Sequence, residues 1–343
     1  MKTMKTIHTA LILMVLAFLS ACSTDSADSI LGGSGGDNQG DKVTVHMTLS
    51  TASSSGTRAT LWNEGVDAEN MKSWVVAFVK DNKVVSYAEN TNVSADKRIQ
   101  DDVIIKNLVK GETYQVYSFA NLTATELGIS KDAAVSFDSK NWKMNGNGFD
   151  VTTGIPMSNK QEITIDATGN PTQKDLWVVR MLAKVTLKFK NPSKTDLVIN
   201  DITISDITKN SNKNGDKENI KLLPNHTDAD KDQVECSPNL VGQAATESYT
   251  YKLPSPKTIK AGVTDYKSEN EVSFYVNESA AGNTSKYFII NLNTSAGVKR
   301  YALFQDWTTI ARNDHHILQI KLDDYKLKFD VQSFSAIGLY PSI

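Results

Sequence analysis

The side chains of this chain that could do chemistry are two cysteines, five histidines, a few paired acids and one arginine set among small polar residues. No GxSxG, HExxH, P-loop, Rossmann fingerprint or CxxC pair accompanies them, so the common signatures of nucleophilic, metal-assisted and phosphate-binding catalysis are missing. His8 lies among the first residues, His46 in an early alternating segment, His226 in a polar stretch, and His315-His316 open a late apolar one. Neighbours on a strand point to opposite faces, so His315 and His316 cannot share a metal without a bulge. The acid pairs Asp101-Asp102 and Asp323-Asp324 fail as a general acid/base couple for the same reason, and read as solvated turn residues. The chain therefore reads as a non-enzyme, with no catalytic residue, metal site or cofactor to assign.

Cys22 has a different chemistry. Lys2 and Lys5 precede an apolar run over residues 9–19 that is too short to span a bilayer, which is the pattern of a signal peptide. The run ends in Leu19-Ser20-Ala21-Cys22, which resembles the lipobox of bacterial lipoproteins, where the thiol accepts the acyl group and the cysteine becomes the new N-terminus. An acylated Cys22 leaves Cys236 without a partner for an intrachain disulfide, so stability must come from the core. The VECSPN context of Cys236 offers no catalytic setting, and a structural role is expected. From Ser23 to Asp41 the chain is a Ser-, Gly- and Asp-rich spacer. Two triplets in it, Asp25-Ser26-Ala27 and Asp28-Ser29-Ile30, resemble O-glycosylation sites of Gram-negative envelope proteins.

With 37 basic against 39 acidic residues and no basic block interleaved with aromatics, nucleic-acid binding is disfavoured. Beyond residue 70 the pattern is of short alternating or apolar segments between Asn, Asp, Gly, Ser and Lys clusters. Strands are expected near 72–80, 83–89, 101–107, 113–120, 160–166 and 176–190, then near 197–207, 247–252, 271–276, 286–293, 298–305, 315–322 and 325–335. Only 124–129 and 62–71 suggest short helices. The fold class is all-β, and 343 residues allow about two sandwiches. Six strands fall between 72 and 190, and an earlier one over 43–49 makes a seventh. The expected divisions are 1–22 signal peptide and lipobox, 23–58 spacer and N-terminal strand, 59–191 first sandwich and 192–343 second. The boundary falls at Asn191-Pro192, with an alternative cut at Gly169-Asn170-Pro171.

In the early strand Val43, Val45, Met47 and Leu49 share one face, and would complete the core of the first sandwich. It is joined to the rest through Ser53-Ser54-Ser55-Gly56-Thr57-Arg58-Ala59, a small polar stretch of the kind proteases cut. Cutting between Arg58 and Ala59 would release the lipid-bearing segment and, with the strand gone, open an apolar groove that demands another strand. The tail offers one: Tyr325, Leu327, Phe329 and Val331 alternate with polar residues in the same period. A tail that fills a neighbour's groove makes head-to-tail, non-closing contacts, which build filaments. On physics alone, residues 325–343 serve equally as the last strand of the second sandwich.

Several stretches, taken in order, carry a resemblance. They are the lipobox at Cys22, Thr57-Arg58-Ala59 after an N-terminal strand, Tyr114-Gln115-Val116-Tyr117-Ser118-Phe119-Ala120-Asn121, Ile155-Pro156-Met157-Ser158, Arg180-Met181-Leu182-Ala183-Lys184-Val185, Phe274-Tyr275-Val276-Asn277-Glu278 and Arg312-Asn313-Asp314-His315-His316. Together they resemble the fimbrillin family, the FimA- and Mfa-like subunits of type V pili of Bacteroidales. The resemblance implies two transthyretin-like sandwiches and export as an outer-membrane lipoprotein. It also implies cleavage at Arg58 by a gingipain-type arginine protease, loss of residues 43–49 and donation of residues 325–343 to an identical or related subunit in a cell-surface fimbrium. The 312–316 motif is implied to be structural. Phe334 stands where related tails often have tryptophan and the tail is short after Gly338, so shaft, accessory and tip positions all stay open. The alternative to a pilin is a lipoprotein that stays anchored and binds a ligand through 207–246, a stretch with no aromatic cluster to stack on sugars.

Overall fold

The structure is a computed structural model that describes residues 41–51, 69–93, 98–142, 154–208, 220–226, 236–239, 246–280, 288–302 and 308–322. In chain order the first elements are β1 (Lys42–Thr51), β2 (Trp74–Lys80), β3 (Lys83–Asn90), β4 (Ile99–Val109), β5 (Thr113–Ala120), the one-turn helix α1 (Ala124–Leu127), β6 (Asn141–Trp142), β7 (Met157–Thr164) and β8 (Asp175–Arg180). There follow β9 (Leu182–Lys190), β10 (Leu197–Thr208), β11 (Ile220–Lys221), β12 (Asn225–His226), β13 (Cys236–Ser237) and β14 (Thr246–Ile259). The last are β15 (Glu271–Asn277), β16 (Ser279–Ala280), β17 (Ile289–Thr294), β18 (Gly297–Ala302), β19 (Thr309–Ile310) and β20 (His315–Lys321). The fold is all-β, as the strand periodicity predicts.

Six of the seven expected strands of the first half, with the N-terminal part of the one expected over 176–190, form one sheet in the order β3-β2-β5-β7-β8-β1-β4. Asp81 and Asn82 turn β2 into β3 with left-handed φ of 50° and 60°, a conformation these short polar side chains tolerate and tight hairpins require. The sheet curls so that β3 and β4, at opposite ends of the order, approach each other. One face encloses a core in which Met47 and Leu49 of β1 meet Phe78 of β2, Val116 of β5 and Val178 of β8. The other face of β2 and β5 is covered by α1, Ile129, Phe137 and Leu222, so WVVAFVK is buried on both sides and shows no alternation. Thr123 caps α1 by accepting from Glu126 N (3.2 Å), while Glu126 Oε2 accepts from Thr123 N (2.8 Å). The helix stops at Leu127, two residues before the expected end, because Gly128 takes a left-handed φ of 74°.

Two of the quoted stretches meet at Asn121. Its carboxamide donates to the carbonyls of Asn70 (2.9 Å) and Ile155 (2.7 Å) and accepts from Lys72 N (2.7 Å). Gly154 lies so close that a Cβ there would sit 2.5 Å from Asn121 Nδ2. Asn121 thus ties the end of β5 to the segments entering β2 and β7.

The apolar run over 176–190 does not form one strand. Arg180 pairs with Met157 in the first sheet, Met181 N donates to Pro156 O (2.9 Å), and Leu182 pairs with Asn277 in another sheet. Hydrophobicity continues through Met181 because both halves are buried; only the hydrogen-bond partners change. β15-β9-β20 and β14-β10-β17-β18 then pack face to face over a second core, with Leu187, Phe189, Phe274 and Leu318 on one side and Ile202, Ile204 and Leu292 on the other. The two-residue strands β6, β11, β12, β13, β16 and β19 are too short to carry a period, and none was expected.

Phe274 is 1% exposed and stacks on Tyr251 with centroids 5.0 Å apart. Phe274→Ala is expected to lower stability by about 3–5 kcal/mol. Tyr87→Ala, at a residue 36% exposed, is expected to stay within about 0.5 kcal/mol of the parent. Urea unfolding of both variants checks this, and equal effects would contradict the assigned core.

Candidate functional site

The N-terminal strand occupies a slot inside the first sheet. β1 pairs antiparallel with β4, matching Val45 to Ile105 and Met47 to Val103, and parallel with β8, matching Leu49 to Leu176 and Thr51 to Val178. Its burial alternates: Val45, Met47, Leu49 and Thr51 are 3%, 1%, 0% and 2% exposed, and Val43 is partly buried against the same core. All four apolar residues expected on the inward face lie there. On the outer face His46 pairs with Asp102 of β4, both side chains more than half exposed. Lys110 anchors the start of the strand, its N donating to Asp41 O (3.2 Å) and its ammonium lying 3.3 Å from the Asp41 carboxylate.

Removing β1 would leave β8 and β4 with unpaired edges and strip the cover from their inward side chains. Val45, Met47 and Leu49 alone contribute about 5–9 kcal/mol of apolar burial, at roughly 1.5–3 kcal/mol each. A whole domain is stable by only about 5–15 kcal/mol. The slot therefore cannot stand empty. β4 depends on it twice, because it is the last strand in the order and β1 is its ladder partner there.

The residues expected to control this strand, Cys22, Arg58 and Ala59, lie outside the described residues, as do Tyr325, Leu327, Phe329 and Val331 of the expected donor. The described chain resumes at Glu69, and Glu69 is pinned. It is 2% exposed, its Oε1 accepts from Lys184 Nζ at 2.9 Å and from the Tyr275 hydroxyl, and its backbone carbonyl accepts from Arg180 Nε (3.2 Å) and Nη2 (3.0 Å). Arg180 Nη1 also donates to Asn313 Oδ1 (3.3 Å). Burial pushes the Arg180 guanidinium down to about 10, against the pull of Glu69 and Tyr275. It pushes the Tyr275 phenol far above its ordinary range, with the Glu69 carboxylate adding to the effect.

A second buried ion pair joins Arg312 to Glu278, both side chains fully enclosed. Arg312 also donates to the carbonyls of Lys221 (2.7 Å) and Leu222 (3.2 Å). His315 Nε2 contacts Thr186 Oγ1 (2.9 Å), whereas His316, 7% exposed, lies 3.6 Å from Asp314, on the other face of β20. The 312–316 stretch thus ties elements together. Residue types and spacing give no sign of the Glu69 cluster, because its members come from four separate segments and only folding assembles them. Among the described residues no three His, Cys, Asp or Glu side chains gather as a metal site.

No protein-family model matches the chain, and no curated protein matches its sequence. Among solved structures, the fold is similar to that of the tip fimbrial protein Mfa3 from Porphyromonas gingivalis in a C-terminally truncated form. The two share 13% identity at a TM-score of 0.53, over 86% of this chain and 100% of that chain. It is also similar to a proposed cell adhesion protein from Parabacteroides distasonis ATCC 8503, at 12% identity and a TM-score of 0.51, over 85% of this chain and 91% of that chain. At these identities the likeness is one of fold.

Two outcomes follow from the Glu69 cluster. Glu69→Ala leaves the Lys184 ammonium buried without its carboxylate and should lower stability by about 3–5 kcal/mol in urea unfolding. The folded state keeps the Tyr275 proton where the unfolded chain loses it, so the associated stability is complete below the ordinary value of 10.0 and falls as pH rises above it. Tyr275→Phe should flatten that alkaline decline, measured as the urea midpoint from near neutrality to well above pH 10; an unchanged slope would exclude Tyr275 as its source.

Proposed function

We propose that the chain is a structural fimbrial subunit that polymerises by exchanging its N-terminal strand, and that it is not an enzyme. One observation carries this reading: the first described strand is an interior strand, buried at Val45, Met47 and Leu49, paired with β4 along its length and with β8 over Thr48 to Thr51, in a slot that cannot stay empty. The roles of the two similar structures, one a fimbrial tip protein and one a proposed adhesion protein, support the same reading. In it the precursor is an outer-membrane lipoprotein held by acylated Cys22, and Val43 to Leu49 plug the slot during export. An arginine-specific protease cuts between Arg58 and Ala59. The plug then has no covalent link to its own sandwich, and the tail of an identical or related subunit replaces it. Tyr325, Leu327, Phe329 and Val331 would supply the inward face. To keep both ladders, the incoming strand must run as β1 does, parallel to β8 and antiparallel to β4.

In this reading the body is two sandwiches. The partner exchange at Met181, where the chain leaves the first sheet and starts the second, argues for a boundary near that residue, between the two cuts weighed from sequence.

The test is the N-terminus and size of the protein on the cell surface. Polymeric material beginning at Ala59 is expected. Arg58→Ala should leave uncut subunits that do not polymerise, and deletion of 325–343 should leave cut, folded subunits that do not polymerise. Polymers formed normally by the first variant would sink the cleavage step, and polymers formed by the second would sink the donor assignment.

A further inference from the structure

Strand exchange leaves one chemically capable cluster unused. His226 in β12 stands directly across from Cys236 in β13, with the imidazole Nδ1 at 3.9 Å from the thiol sulfur. The other ring nitrogen, Nε2, lies 2.8 Å from the carboxamide oxygen of Asn159 in β7. A carboxamide oxygen only accepts, so in the neutral ring Nε2 carries the hydrogen and Nδ1 turns its lone pair toward the thiol. A nucleophile, a base and a group that orients the base therefore stand in order.

The cluster is held by the body of the protein. Asn159 is 2% exposed, and its neighbour Ser158 donates to Leu222 O at 2.5 Å. Arg312 donates to the carbonyls of Lys221 and Leu222, and Asn239 donates to Leu223 O (3.2 Å) and to the Glu278 carboxylate (3.0 Å). The inner side of the thiol rests on Val179 and Trp177. Cys236 keeps 8% exposure, while Asn225 is exposed and His226 and Ser237 are half-buried.

We propose that Cys236 is a nucleophilic modification site for small soft electrophiles, above all low-molecular-weight disulfides, with His226 as its base and Asn159 positioning that base. The thiol proton passes to His226 Nδ1, and the sulfur attacks one sulfur of the incoming disulfide. A new S–S bond forms at Cys236, the old one breaks, and the departing thiolate takes the proton back from the imidazolium. The small disulfide is the oxidant, and the product is a mixed disulfide on the hairpin.

The test uses the full chain carrying Cys22→Ser, so that a single thiol remains, and a dipyridyl disulfide as the probe. At about pH 6.5 an ordinary thiol is only about 1% thiolate, and the gain from an activated one is partly offset by its lower intrinsic nucleophilicity. The folded chain should therefore react roughly 5–10-fold faster than the same chain in urea. A folded chain that reacts more slowly than the unfolded one would overturn the proposal without any variant. His226→Gln, with a urea midpoint near that of the parent, should remove the acceleration. Asn159→Ser should retain reaction but move its pH profile toward that of the unfolded thiol. A folded His226→Gln chain that reacts as fast as the parent would equally overturn the assignment.

Discussion

Between β8 and β4 there is a gap one strand wide, and the first sheet depends on what fills it. β1 fills it with an apolar face against the core and a ladder on each side. A strand at an edge could leave with the loss of one ladder. A strand in this position takes with it two ladders, part of the core and the attachment of β4. The physical constraint is therefore on occupancy rather than on identity: any segment with apolar residues at alternate positions, running in the same direction, meets the same demands. An interior slot filled by a segment near a chain end is what makes exchange compatible with a stable fold.

In the proposed exchange, buried polar contacts elsewhere in the body would keep the change local. Glu69, the first described residue after the Arg58 stretch, is tied to β8, β9 and β15 through Arg180, Lys184 and Tyr275. Buried charges of this kind add little net stability over an apolar core, but they are specific, because removing one partner strands the others. They fix where the chain re-enters the body, whatever occupies the slot. The Arg312–Glu278 pair does the same for residues 220–226 and 236–239, through the carbonyls of Lys221 and Leu222 and the amide of Asn239.

What was legible in the sequence follows from range. β1 and β5 were readable because alternation and turn residues act within a few positions, and the match of TYQVYSFA to β5 reflects that. The strand over 176–190 misled for a physical reason: side-chain burial is continuous across Met181 while the hydrogen-bond partners change, and hydrophobicity reports only the first. Asn121 stood in a quoted stretch, yet its task depends on Asn70 and Ile155, which no local pattern connects to it. The Glu69 cluster and the His226–Cys236–Asn159 arrangement are harder still, since each joins polar residues from widely separated segments. VECSPN offers no catalytic context because the context arrives from β7 and β12.

The irregularities opposite β1 bear on what can replace it. Its pairing with β4 shifts register between Val43 and Val45 and again between Met47 and Leu49, and at each shift β4 advances three residues while β1 advances two. The extra residue is therefore in β4, where Asn107 and Asp102 take left-handed φ of 63°. β1 keeps its alternation, and any strand that takes its place meets the same two bulges, so an occupant gains nothing in the β4 ladder by being more regular. Covalent linkage is then what favours β1, because a tethered strand is present at high effective concentration and a severed one is not. In the proposed exchange a cut in the tether removes that advantage without any change in the rest of the sheet.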